Sequence, residues 1–233
     1  MAPITIRPLH RADVPAAQQI WKDGMLSTIS GGARRAQFIR WGGCAAAALV
    51  GFIIVPASWG LVVRLLMAWC ADLLVSICCP TLIAYSYVKQ SLSEDMDNPV
   101  AHYCSGGHSG FWVAVEGQKI VGTIACEPPV IRAGDRMTPW RADGREVELR
   151  RMSVARSHRR RGIAKLLVAA LEEHARAQGF TRIVLGTSSW QATAAYRAYP
   201  RLGFNLVKIA VLPWAWLPVV SIHFFSKDIR PPH

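Results

Sequence analysis

The sequence has few of the features that hold small secreted or metal-binding domains together. Its six cysteines show no paired metal-ligand spacing, and four of them lie in one apolar tract, which argues against both a disulfide framework and a zinc site. Neither of its two asparagines begins an Asn-x-Ser/Thr sequon, and the polar first 40 residues lack the central apolar region of a cleavable signal peptide. We therefore expect a reducing compartment and no bound metal.

Acidic residues are also scarce, since 15 of them face 27 basic residues and the formal net charge is +12. This surplus favours anionic partners, namely nucleic acid, a membrane surface or phosphorylated small molecules, and charge alone does not choose among them. The 233 residues suffice for one domain with a sizeable core and are few for two. A hydrophobic share of 52% is high for so charged a chain and indicates an additional apolar segment.

Charge is almost missing from residues 41–88, where Arg64 and Asp72 are the only charged side chains. A membrane-spanning helix needs about 20 apolar residues, so this tract is too long for one helix and suits two short ones. Its middle carries a break, with Pro56, Ser58 and Gly60 between the arms Trp41–Val55 and Leu61–Val88. We predict an apolar helical hairpin, either as two spans or as a re-entrant hairpin in one leaflet. A buried hairpin in a soluble core is the alternative.

The most informative stretch is residues 146–164, in which an apolar-alternating run is followed by a basic turn and an amphipathic helix. The run ends at Val154, and Gly162 stands at the mouth of the helix. Helix N-termini present unpaired N–H groups and the positive end of a dipole, so such a turn predicts an anion site. We expect a polyphosphorylated cofactor rather than nucleic acid, because a general basic patch would not need a glycine there.

The other predicted elements alternate between strands and helices. Strands are expected at 3–8, 111–115, 120–126 and 182–186, with further strands from 203 and in the proline-broken segment 211–225, and helices at 13–25, 163–178 and 192–202. Between them, residues 89–99 read as a polar linker, and residues 128–145 as a long basic loop. The arginines of that loop, with Arg150 and Arg151, are candidates for binding a substrate carboxylate, and solvated charge is the alternative.

Two motifs in this order resemble a known family. Arg159-Arg-Arg-Gly162-Ile-Ala164 resembles the pyrophosphate loop of the GNAT superfamily of acyl-CoA-dependent N-acetyltransferases, and Tyr199-Pro-Arg-Leu-Gly203-Phe204 resembles its Tyr-x-x-x-Gly-Phe pattern. Within the superfamily, Val147–Val154 looks most like the membrane-associated branch that includes N-acetylaspartate synthetase and the cysteine S-conjugate N-acetyltransferases. The resemblance implies an α/β (α+β) GNAT fold, with a mixed central sheet flanked by helices. We expect this domain over 1–40 and 89–233, with 41–88 as the inserted hairpin.

The resemblance also implies a cofactor and a set of site residues. Acetyl-CoA would be the co-substrate, bound by Met152, Val154, Arg159, Arg160, Arg161, Gly162, Ile163 and Ala164. Glu148 matches the general base, with an ion pair to a neighbouring arginine as the alternative role, and Tyr199 matches the tyrosine that protonates the leaving thiolate, with Tyr196 as competitor. Many relatives carry an asparagine at the start of the last helix, where Ser189 or Gln191 would have to substitute here.

These features together predict a membrane-associated enzyme that acetylates the amine of a small metabolite, such as an amino acid or its conjugate. Acetylation of protein lysines or N-termini and non-catalytic acyl-CoA binding are the alternatives. Because the apolar tract lies inside one domain, both its ends must lie on the same side of the membrane. Basic residues at both ends favour the cytosolic face, for example of the endoplasmic reticulum: Arg34, Arg35, Arg40 and Lys89.

Overall fold

Seven strands and five helices make up the part of the chain that the computed structural model describes, namely residues 2–39, 60–131, 137–140, 143–188, 192–211 and 221–229. The strands are β1 Ile4–Pro8, β2 Gly110–Glu116, β3 Lys119–Glu127, β4 Glu146–Val154, β5 Arg182–Ser188, β6 Asn205–Val211 and β7 Ser221–Asp228. The helices are α1 Val14–Ile39, α2 Leu61–Ser93, α3 Pro99–Tyr103, α4 Ile163–Ala177 and α5 Ala192–Arg201. This mixed α/β architecture confirms the predicted class.

The strands form one mixed sheet in the order β1-β2-β3-β4-β5-β7-β6. Neighbouring strands are antiparallel except β4 and β5, which are parallel. The β4–β5 pairing covers only three positions, Glu146–Glu148 opposite Arg182–Val184. Beyond Glu148 each of these two strands is paired on its other side alone, so the sheet opens into a cleft between its two halves.

Each face of the sheet carries its own apolar core. On one face, α4 places Ile163, Leu167 and Leu171 at helical spacing against Val147 and Leu149 of β4. The opposite face is covered by α1, α2 and α3, and its core includes Trp21, Val88, Tyr103, Val113 and Ala125. The catalytic strand predicted from the sequence therefore lies in the middle of the molecule, between two layers of helices.

Several predicted boundaries are wrong. Helix α1 begins at Val14 and not at Asp13, because Asp13 lies in a 3-10 turn (Arg11–Asp13) and accepts a hydrogen bond from the His10 N–H at 2.9 Å. Helix α1 continues well past Met25. Helix α2 begins directly after Gly60, as the break predicts, but its end at Ser93 lies within the expected polar linker. The reason is tertiary, since Val88 and Ser91 on that last part are buried against the rest of the domain.

The predicted membrane hairpin falls only partly within the described residues. Its first arm, Trp41–Val55, lies outside them, as do the side chains of Arg64 and Asp72. The second arm, Leu61–Val88, makes up most of α2. Within the described part of the chain, no helix combines the length and the apolarity that a membrane crossing requires.

Candidate active site

A β-bulge interrupts β4 just beyond the point where the sheet opens. Thr123 of β3 pairs with Ser153, whereas Ala125 pairs with Arg150, so two residues of β4 oppose the single residue between them. The first of the two, Arg151, has φ +52°, which is uncommon for a residue with a side chain. The bulge turns Arg150 and Arg151 to the same side of the sheet instead of opposite sides.

The bulge leaves a trace in the sequence, namely a change in the spacing of the apolar residues of β4, although the bulge was not predicted from it. Val147 and Leu149 alternate in the usual way, but the next apolar residue is Met152, three positions later, and Val154 then follows the new phase. All four pack with the α4 core. Because a strand without a bulge alternates with period two, an apolar spacing of three within a strand is the signal that could have located it.

The face of β4 toward α1, α2 and α3 is polar and carries Glu148. Glu148 lies directly opposite Glu127 of β3, and among the described residues no hydrogen bond or ion pair reaches its carboxylate. Glu127 is instead paired with Arg150 and with His102, whose Nε2 lies 2.8 Å from Glu127 Oε2. Burial raises the pKa of Glu148, and the charge of Glu127 raises it further, while Arg150 and Arg151 oppose the shift. The carboxylate is thus held at a pKa above its ordinary value by its own burial.

Arg151 is committed to a buried ion pair beside this carboxylate. Its Nε and Nη2 donate to the two oxygens of Asp95 at 2.7 and 2.5 Å, and Tyr103 also donates to Asp95. Both charged side chains are almost completely buried, at 6% exposure for Arg151 and 5% for Asp95. Arg151 is therefore not available to a substrate carboxylate, and Arg150 is held by Glu127.

The turn between β4 and α4 presents unpaired backbone donors. Arg160 and Gly162 both have positive φ, +64° and +79°, and Gly162 caps α4 without any side-chain hydrogen bond. Among the described residues, the N–H groups of Gly162, Ile163 and Ala164 have no acceptor. A Cβ on Gly162 would meet no atom within 4 Å, so the glycine is needed for its left-handed conformation, and the space before it is open.

Tyr199 lies on α5 in the α4-side core, where its ring contacts those of Phe204 and Phe225 at centroid distances of 5.7 and 5.5 Å. Burial raises its pKa to about 12, so the phenol keeps its proton over the physiological range. No described residue forms a hydrogen bond with the hydroxyl group. The competitor Tyr196 lies on the same helix, and its side chain is outside the described residues, as are Ser189 and Gln191.

A family model described as the acetyltransferase (GNAT) family matches residues 78–204, slightly more than half of the chain. The chain belongs to this GNAT family. Curated relatives agree: N-acetyltransferase 8 of Rattus norvegicus is 37% identical over 141 residues, 60% of each chain, and N-acetyltransferase family 8 member 2 of the same species is 34% identical over 162 residues, 67% of this chain and 63% of that one. The predicted resemblance to this branch is confirmed.

The fold also agrees with that of solved GNAT structures. The PaiA N-acetyltransferase of Thermoplasma acidophilum, solved in complex with coenzyme A, superposes with a TM-score of 0.59 at 14% identity, covering 97% of this chain and 99% of that one. At this identity the likeness concerns the fold alone. The chain spans about 60% of the length of the rat N-acetyltransferase 8 that it matches.

The three arginines of the GNAT loop differ in what holds them. Arg161 forms a bidentate pair with Glu116, at 2.6 and 3.3 Å, and Arg159 donates to Val154 O at 3.1 Å and to Ser27 Oγ at 3.0 Å. Arg160 is exposed and has no partner among the described residues. These contacts anchor the loop to β2 and α1, so its backbone donors are held in place while Arg160 remains available.

Sequence reasoning missed residues that only the fold brings to this site. Glu116, which follows the predicted strand 111–115, is one of them, and Arg161 and His158 hold the pKa of its carboxyl at about 2. A cavity of about 1140 Å³ adjoins the loop on the α1 side, with Val154, Arg156 and Arg159 in its wall. Glu148 and Tyr199 do not line it, so this cavity borders the turn before α4 and not the β4–β5 cleft.

Proposed function

We propose that this GNAT protein transfers the acetyl group of acetyl-CoA directly to the amine of a small metabolite. The observation that carries the proposal is the opening of the sheet beyond Glu148, directly beside a helix N-terminus with unpaired donors. The free edge of β4 offers backbone groups to a pantetheine arm lying in the cleft, and the N–H groups of residues 162–164 with Arg160 suit a pyrophosphate.

The acceptor amine would approach from the face of α1, α2 and α3. Glu148, directly or through a water, accepts the proton that the amine loses as its nitrogen bonds to the acetyl carbon. Backbone N–H groups around Met152 and Val154 stabilise the negative charge that develops on the carbonyl oxygen. The carbon–sulfur bond then breaks, and Tyr199 supplies the proton for the thiolate. Glu148 acts in its ionised form, and Tyr199 acts in the protonated form that its burial favours.

The proposal is tested with purified full-length protein, labelled acetyl-CoA and a panel of amines. Amino acids, cysteine conjugates, and peptides with lysine or free N-terminal amines form its three arms. Acetylation of the small amines supports the proposal, whereas turnover of peptides alone would replace it with protein acetylation. Saturable binding of acetyl-CoA without turnover in any arm would show a non-catalytic acyl-CoA-binding protein.

Replacing Gly162 by alanine is expected to raise KM for acetyl-CoA about 5- to 30-fold with little change in kcat. The left-handed conformation costs a residue with a Cβ about 1–2 kcal/mol, and relief of that strain would turn the N–H donors away from the pyrophosphate. Gly144→Ala is the matched control, because Gly144 has φ +71° and equally open space. Steady-state kinetics of both variants measure the effect. Equal KM values would remove Gly162 from the cofactor site.

We also propose that the insert, residues 41–88, associates with a membrane and leaves the catalytic domain on the cytosolic face. The support is the composition of the tract, together with large apolar side chains exposed along the start of α2. They are Leu61, Val63, Leu65, Leu66, Met67 and Trp69, each between 41% and 60% exposed. An uncovered apolar surface of this kind marks an interaction site.

Reporter tags at the two termini are expected to be equally accessible to protease in intact microsomes. Both ends of the insert lead into one folded domain, which cannot assemble across a bilayer. Detergent-solubilised microsomes provide the control for tag cleavage. Protection of either tag would rule out the cytosolic arrangement, and recovery of the protein in the high-speed supernatant would rule out membrane association.

A further inference from the structure

The β4 bulge is held from outside the sheet, by the end of α2 and the turn that follows it. Besides the two hydrogen bonds to Asp95, Arg151 donates from Nη1 to Ser91 Oγ at 3.0 Å and to Tyr87 Oη at 3.2 Å. Ser91 and Tyr87 lie on α2, and Asp95 is two residues beyond its end. Among the described residues, every hydrogen-bond partner of this guanidinium therefore lies in one segment of the chain.

The same arginine has the unusual backbone conformation. A residue with a side chain adopts φ +52° only where its surroundings over-determine it. Here the guanidinium carbon lies 4.7 Å from the centre of the Trp21 ring on α1, and the carbonyl oxygen accepts from Thr123 Oγ1 at 2.9 Å. Side chain and backbone are thus fixed independently, and the four hydrogen bonds to α2 and its following turn are the strongest part of that restraint.

The bulge decides which way the reactive part of β4 faces. Residues before it expose even-numbered side chains, including Glu148 and Arg150, to the α1–α3 face, whereas residues after it expose Ser153, which donates to Ile20 O at 3.0 Å. Without the bulge, one of the two halves of the strand would have to turn over, because a shift of one residue exchanges the faces. Glu148 and the backbone at Met152 would then no longer serve the same cleft.

We propose that Asp95 is a positioning residue: through Arg151 it maintains the β4 bulge, and so couples the end of the apolar helix α2 to the geometry of the acetyl-transfer site. This proposal rests on the proposed function, in which Glu148 and the backbone near Met152 act on one acetyl group. Among the described residues, the hydrogen-bond partners of the Asp95 side chain are Arg151 and Tyr103, and Glu148 is not one of them. Its effect on the reaction would pass through Arg151.

Asp95→Asn is expected to lower kcat 10- to 100-fold while KM for acetyl-CoA changes less than threefold. Asparagine preserves the shape but leaves the charge of Arg151 without its counterion. Ser91→Ala is the milder variant in case Asp95→Asn does not fold, and we expect a 3- to 10-fold loss of kcat. Leu171→Ala controls for stability, because it opens a cavity in the α4 core, on the face of the sheet opposite to the Arg151 side chain. Its folded fraction is expected to keep the wild-type kcat.

Hydrogen–deuterium exchange supplies a readout that does not need turnover. In Asp95→Asn or Ser91→Ala we expect the amides of residues 149–154 to exchange at least tenfold faster, with α4 unchanged. A merely structural role would instead accelerate both segments, as in Leu171→Ala. Wild-type kcat together with unchanged exchange in 149–154 would overturn the proposal. Faster exchange of this segment in a protein whose wild type acetylates no amine would support the restraint while refuting the proposed function.

Discussion

Glu148→Gln is expected to lower kcat/KM for acetyl transfer about 10²- to 10⁴-fold, the range of a lost general base. Glutamine retains the size of the side chain and cannot accept the amine proton. KM for acetyl-CoA should change little, because the phosphate-binding donors belong to a different segment. Steady-state kinetics with the best acceptor of the panel measure the loss, and a decrease of less than threefold would show that Glu148 is not the base.

The pH profile gives the same residue an independent test. The pKa of Glu148 is raised from its ordinary value of 4.5, first by burial and then by Glu127. A base works when deprotonated, so kcat/KM should rise with pH through that raised pKa, and this limb should vanish in Glu148→Gln. Glu127→Gln removes the neighbouring negative charge that raises the pKa of Glu148, so the rising limb of the profile should move to lower pH. A limb that stays in place in both variants would assign it to another group.

Arg151→Met is expected to lower the free energy of unfolding by about 3–5 kcal/mol. Removing one partner of a buried ion pair leaves the other charge without compensation, and that cost exceeds the net worth of the pair. In this fold the uncompensated group is Asp95, which is 5% exposed. Urea unfolding followed by circular dichroism measures the change, and a loss below about 1 kcal/mol would show that water or another cation reaches Asp95.

A second variant and the pH dependence separate charge burial from packing. Arg151→Met combined with Asp95→Leu should recover most of the lost stability, since apolar replacements of both partners are often neutral. Burial alone would raise the pKa of Asp95, but the hydrogen bonds and charge of Arg151 hold it below its ordinary value of 3.8. The wild type therefore loses the stability that ionised Asp95 contributes through its pair with Arg151 as the pH falls below about 4. Arg151→Met should do the opposite and gain stability on acidification.

The parts of this protein that the sequence predicted well are those that depend on neighbouring residues. The loop before α4 was located because a left-handed glycine and the start of an amphipathic helix are local properties. Strands β2 and β3 were predicted for the same reason, and so was the start of α2 after Gly60. The family resemblance rested on these same local patterns, which explains why it was sufficient to identify the GNAT fold.

Contacts between distant segments could not be predicted from the sequence. Asp95 and Arg151 are 56 residues apart, and residues 89–99 looked like a linker because nothing local shows that a charged residue there is buried. Likewise, Arg151 was a candidate for binding substrate until its partner was known. Glu148 and Glu127 became neighbours only through the β3–β4 register, which the bulge sets.

The sequence by itself determined the position of the turn before α4, the order of the elements and the family, because backbone conformation and apolar periodicity are encoded within a few residues. Only the tertiary structure decided which charges remain free to act. Ion pairs occupy Arg151 and Arg161, whereas Glu148 has no partner among the described residues. The physical reason is that the neighbouring groups decide whether a charged side chain is paired or available. Those neighbours come from segments that are distant in the sequence and that folding brings together.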